Sequence, residues 1–163
     1  MNRKFIALAV TILIAAAVIT TALATPAVGT IATLFARGTF VEPVFVSSDG
    51  IVLITDKTTD HAVQTITFPP GSSSGWHTHP GVVLVTVKSG TLTRYHSDCS
   101  PEALSAGDSF WETTGFGGLL GGASGAGLVR NEGTEPVVVY VSYILPTGAP
   151  LRLDAPNPGC PID

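Results

Sequence analysis

The residues best suited to chemistry lie in one stretch, Gly71-Ser72-Ser73-Ser74-Gly75-Trp76-His77-Thr78-His79-Pro80-Gly81. On an extended chain, side chains two apart project to the same side. His77 and His79 therefore offer two imidazoles to one point, as a Zn, Fe, Mn, Cu or Ni site requires. A bare His-x-His is weak evidence, because a polar strand or loop yields the same pattern. Further donors for such a site are His61, His96, Asp108 and Glu112, and Glu112 fits best by order along the chain. Its ordinary reading is an exposed carboxylate at a strand end. The other polar residues have structural readings first. His96 sits beside Tyr95 at a hairpin end, Asp108 follows Gly107 as a turn cap, and Arg130 reaches solvent from a strand. Trp76 and Trp111 are expected to pack against a sheet rather than line a pocket. No Ser-His-Asp order, phosphate loop or glycosidase-like carboxylate pair follows from the spacing, so the catalytic residues stay unknown.

The elements that must position these residues read as strands. Thr39–Val46, Ile51–Thr55, Ala62–Phe68, Val82–Val87, Thr91–His96, Ser109–Thr113, Leu128–Arg130 and Val137–Leu145 are separated by turn signals, and Gly75–His79 is a short extended piece. Short strands at this spacing imply an all-β sandwich or barrel. The one hint of a helical stripe is a short run before Arg37. Residues 115–127 hold seven glycines, which implies a mobile loop.

Composition narrows the function classes. The chain has 163 residues, 8 basic and 12 acidic side chains, and 12 % charged residues, which excludes a disordered, charge-rich protein and fits one domain. No Lys or Arg run outside the first four residues leaves no electrostatic footprint for nucleic acid. Arg3 and Lys4 precede an uncharged stretch from Phe5 to Ala24 that ends in Ala22-Leu23-Ala24. This is the pattern of a signal peptide over residues 1–24, cleaved after Ala24, and it implies a secreted or extracytoplasmic protein with no membrane contact after cleavage. The alternative is an uncleaved membrane anchor, for which the apolar stretch is long enough. Cleavage would leave 6 basic and 12 acidic side chains.

The two cysteines, Cys99 and Cys160, both sit among turn residues. In an oxidising compartment their simplest fate is one disulfide tying the C-terminal tail to the middle of the chain. Two free thiols or a pair of soft metal ligands are the alternatives. Flanking prolines and the lack of a Cys-x-x-Cys spacing make metal the weakest of these.

The spacing of Gly71, His77, His79 and Gly90 resembles the first motif of the cupin superfamily. Ala106-Gly107-Asp108 before a strand, then Val129-Arg130-Asn131-Glu132-Gly133 before a long strand, resembles the second. The resemblance covers about residues 60–145 and implies an all-β, double-stranded β-helix (cupin, jelly-roll) barrel. The expected organisation is an N-terminal extension over 25–38, a barrel over 39–146 and a Pro-rich tail over 147–163. Metal-binding cupins supply a Glu soon after the His pair and a further His from the second motif. Here Val83, next to Leu84, stands at the Glu position, and the two counts for the last His land on Gly118 and Gly127. The resemblance thus implies His77 and His79 as metal ligands in an incomplete set, which would hold a divalent ion weakly. A homodimer is implied in the same way. Three functions follow: small-molecule binding with or without metal, a metal-dependent dioxygenase- or isomerase-type enzyme using His77 and His79, or a structural module. Fold alone cannot choose among them.

Overall fold

The computed structural model describes residues 24–113 and 125–162, all of it strands, turns and loops without a helix. The expected signal peptide, apart from Ala24, and most of the Gly-rich stretch lie outside the described residues. The strands are β1 (Ile31–Phe40), β2 (Phe45–Ser48), β3 (Ile51–Ile54), β4 (Thr59–Phe68), β5 (His77–Thr78) and β6 (Val82–Ser89). Then come β7 (Thr91–Tyr95), β8 (Pro101–Ser105), β9 (Ser109–Glu112), β10 (Leu128–Arg130), β11 (Val137–Pro146) and β12 (Leu153–Asp154).

Two layers face one another. One is the antiparallel sheet β1-β4-β11-β6-β9, and the other is β10-β7-β8, extended by the pair β12-β5. Isolated backbone bridges from Ser73 to Arg130 and from His77 to Gly127 join the segment that ends in β5 to β10 and the residue before it. From β4 onward the chain crosses repeatedly between the layers, which is the winding of a double-stranded β-helix. The two-residue period of the pleat sets the faces. Val83, Val85 and Val87 of β6 are buried, as are Val137, Val139, Val141, Tyr143 and Leu145 of β11, while their even-numbered neighbours are exposed or half-buried. A one-residue slip would turn every one of these side chains to the wrong face, so the core itself fixes the register. A second, smaller cluster packs Trp76 against Leu128 and Cys160.

Three sequence expectations change here. Thr39–Val46 is not one strand: β1 ends at Phe40, and Pro43, which has no N–H to give, lies in the break before β2. Most of the expected N-terminal extension is β1 itself, paired with β4 from Ile31–Thr67 to Phe40–Thr59. All ten residues of β1 are exposed, so no inside–outside alternation marked it, and the run before Arg37 is strand rather than helix. The β2–β3 hairpin likewise leaves Phe45, Ile51 and Ile54 exposed. Finally, β8 was not anticipated. Its sequence, Pro-Glu-Ala-Leu-Ser, has little strand propensity, and pairing with β7 imposes the conformation.

A polar knot holds β1 in place. The Asp60 carboxylate accepts hydrogen bonds from Thr39 Oγ1 (2.7 Å), Arg37 Nε (2.7 Å) and the Gly148 amide (3.0 Å). Those bonds, first from Thr39, then from Gly148 and Arg37, lower the Asp60 pKa from 3.8 to about 2. A folded-state value below the unfolded one stabilises the fold above the unfolded pKa and is lost as pH falls toward the folded value. Urea titrations should therefore show stability falling from about pH 4 to about pH 2, with Asp60→Asn less stable at neutral pH and flatter across that window. An unchanged acid limb in the variant would remove this role from Asp60.

Candidate metal centre

Each imidazole is oriented by a backbone carbonyl. Gly75 turns the chain ahead of β5 with φ +65°, and an added Cβ would overlap the carbonyl oxygens of Thr25 and Pro26. Only glycine fits there. The turn brings the Gly75 carbonyl to 2.9 Å from His77 Nδ1, and the Leu151 carbonyl lies 2.7 Å from His79 Nδ1. A carbonyl only accepts, so both Nδ1 atoms carry the proton in these contacts. The Nε2 atoms are then left facing inward, able to donate when protonated and to ligate when not. The two rings sit edge to face with centroids 4.9 Å apart.

The third group comes from β9. Glu112 Oε2 lies 3.0 Å from His79 Nε2 and 3.6 Å from His77 Nε2, and one ligand atom from each of the three lies within 4.8 Å of the others. All three side chains are nearly buried. Three acceptors converging on one point need a cation between them, either ring protons or a metal ion. Donor atoms around a tetrahedral ion with bonds near 2.1 Å are ~3.4 Å apart, so the two observed separations suit one. Burial alone would raise the Glu112 pKa, but hydrogen bonds and charge from His77 and His79 outweigh it and hold the carboxyl well below its usual range.

The register explains where this carboxylate comes from. Glu112 pairs with Val83 across β9 and β6, and Phe110 with Val85. The position at which the motif would place a glutamate is thus filled by a core valine, and its cross-strand neighbour supplies the carboxylate. Cβ atoms of such pairs are ~5 Å apart, within the reach of a glutamate side chain. The second-motif position, Gly127, exchanges two 2.9 Å backbone hydrogen bonds with His77 but has no side chain to offer. Gly118 lies outside the described residues.

The other candidates are elsewhere. His61 Nε2 is 3.0 Å from Ser142 Oγ, and His96 Nε2 is 3.3 Å from Glu102. Asp108 accepts from the Ser105 amide (2.8 Å), a turn role. Trp76 is fully buried, whereas Trp111 is 45 % exposed. The C-terminal tail, expected only as a Pro-rich segment tied back by Cys160, builds one wall of the centre. Its β12 pairs with β5, the Ala155 amide donates to the Trp76 carbonyl (2.9 Å), and Leu151 orients His79. The Cys99–Cys160 disulfide closes this arrangement. Beside the centre, between the layers, lies a cavity of about 330 Å³ lined by Phe68, Val85, Leu92, Phe110, Val139 and Val141 among others.

Residues 64–116 match the family model described as a cupin domain. No curated protein sequence matches the chain. Among solved structures, a cupin domain from Bordetella pertussis Tohama I is 19 % identical, covering 76 % of this chain and 99 % of that one, with TM-score 0.47. A DMSP lyase structure is 19 % identical over 58 % of this chain and 44 % of that one, TM-score 0.45, so the chain spans less than half its length. The polyketide cyclase RemF from Streptomyces resistomycificus is 13 % identical over 60 % and 64 %, TM-score 0.45.

The clamp makes a stability prediction. Replacing both Cys99 and Cys160 by serine should cost about 2–4 kcal/mol in urea unfolding. Hydrogen exchange should quicken most at the Ala155 amide, with the β4–β11 amides remaining the slowest. Equal protection of the tail in both proteins would show that the disulfide does not hold that wall.

Proposed function

We propose that this chain, which carries a cupin domain, binds a divalent transition-metal ion through His77, His79 and Glu112 and a small molecule in the adjoining cavity. The observation that carries the reading is the pair of Nδ1–H contacts to backbone carbonyls, which aim both Nε2 atoms at one carboxylate oxygen. Such outer contacts are what orient and strengthen imidazole ligands in metal sites. The donor set of two nitrogens and one oxygen suits Zn, Fe, Mn, Cu or Ni and does not select among them. Three protein donors would leave such an ion with open positions, and Gly127 has no side chain to close them. When bound, the ion would supply Lewis acidity to whatever reaches those positions. The chain's own residues fix the ring tautomers, bury the carboxylate and exclude water with the apolar wall.

The disulfide supports an oxidising setting, and with the N-terminal pattern it supports export across a membrane. A second reading is a metal-dependent enzyme of the dioxygenase or isomerase type. The open face beside an apolar cavity favours it, since a substrate and the ion would share one space.

Metal analysis of purified, zinc-reconstituted protein should give one ion per chain. Chelator competition should then show His77→Ala, His79→Ala and Glu112→Gln each weakening zinc by at least ~100-fold, against the ~10–100-fold typical of losing an outer contact. Absence of metal from folded wild-type protein, or full occupancy in both histidine variants, would end the metal reading.

A further inference from the structure

We propose that the outer face of the five-stranded sheet, with the β2–β3 arm beside it, is the surface on which a second copy of this chain docks. The proposal is independent of the metal reading. The two outer faces of the molecule differ in kind. On the β10-β7-β8 layer, Glu132 accepts from Thr93 Oγ1 (3.0 Å) and the Tyr95 hydroxyl (2.6 Å), and Thr91 bonds Ser105. That is the usual dress of a sheet that meets water. The five-stranded layer instead turns Val82, Leu84, Tyr140, Ser142, Ile144 and Trp111 outward. Among the described residues of that face, Lys88 near the end of β6 is the sole Asp, Glu, Lys or Arg. Its polar groups are bonded within the chain: His61 to Ser142 (3.0 Å), Thr65 to the Val139 carbonyl (3.1 Å) and Thr86 to Ser109 (2.9 Å). Covering the face would leave none of these pairs unmatched.

The arm continues this surface. β2 and β3 pair with each other and with no other strand, and a lone hairpin is marginal in water. Phe45, Ile51 and Ile54 are 74 %, 75 % and 65 % exposed. A groove lined by Ile54, Val82 and Ile144 joins the arm to the sheet face. At roughly 200 Å² for each when fully exposed, these three with Val82, Leu84, Tyr140 and Trp111 leave on the order of 800 Å² open. The largest apolar patch of an ordinary monomer is about 300–600 Å², whereas a stable pair covers about 800 Å² on each partner. Charge points to a second copy as the occupant. The chain carries 12 acidic and 8 basic side chains, yet two copies meeting here set no acidic groups of the sheet face against each other. A neutral apolar patch is complementary to itself, which a two-fold interface requires. A lipid surface suits the arm less well, because its turn, Ser47-Ser48-Asp49-Gly50, would bring a carboxylate into the bilayer first.

Sedimentation of the purified protein from about 1 to about 100 µM is expected to show a monomer passing to a dimer. Leu84→Lys on the face and Phe45→Lys on the arm should each weaken the dimer at least about tenfold. Ala103→Lys, which puts the same charge on exposed β8 of the other layer, should leave it within about twofold. A second measurement needs no variant. Trp76 is fully buried, so Trp111 is the tryptophan that iodide can reach, and its quenching should fall at least about twofold as the dimer forms. A monomer throughout the range, or a dimer indifferent to both Leu84→Lys and Phe45→Lys, would overturn the proposal. So would a dimer in which Trp111 stays equally open to iodide. A monomer that floats with neutral phosphatidylcholine vesicles would also overturn it and assign the surface to lipid.

Discussion

The centre depends on two backbone carbonyls from distant parts of the chain. Gly75 lies two residues before His77, while Leu151 lies in the tail, yet each takes the Nδ1 proton of one imidazole. With either carbonyl displaced, that ring would be free to turn, and its Nε2 would lose its aim at Glu112. Much of the architecture serves this alignment. The Gly75 turn sets the first contact, and the second needs the tail to lie beside β5, which β12 pairing, the Ala155–Trp76 bond and the disulfide secure together. The carboxylate depends in turn on the β6–β9 register, which the buried valines of β6 enforce.

The same apolar packing that sets the register makes the cavity. The β11 and β6 side chains project inward, and β9 adds Phe110 to them. They do not meet completely across the layers, so a hollow remains next to the polar pole. His77 and Glu112 stand on strands and His79 follows β5 directly, which holds the three candidate ligands better than a free loop would.

Much of this was legible in the sequence, and the failures have physical causes. The apolar, β-branched runs Val82–Val87 and Val137–Leu145, bounded by turn residues, announced the core strands, and His77-Thr78-His79 announced a shared face. Glu112 was visible only as a donor of suitable order along the chain, because a cross-strand partner depends on register, which no local pattern specifies. β1 was missed because both of its faces are exposed, so burial left no imprint on it. The tail read only as Pro-rich because Pro150, Pro156, Pro158 and Pro161 hide a two-residue strand, and its part in the centre is made by a main-chain oxygen. A carbonyl belongs to every residue, so sequence carries no sign of which one will be used.

Gly127 has a consequence of its own. Its backbone is stitched to His77 on both sides, and a Cβ added there would rest 3.4 Å from Glu112 Oε1, an ordinary contact. Nothing in its surroundings forbids a side chain. A donor at this one spot would turn an open bowl into a closed cage, and an exchangeable guest into a permanent fixture. The difference between a receptive centre and an inert one therefore comes down to a single missing branch on the chain.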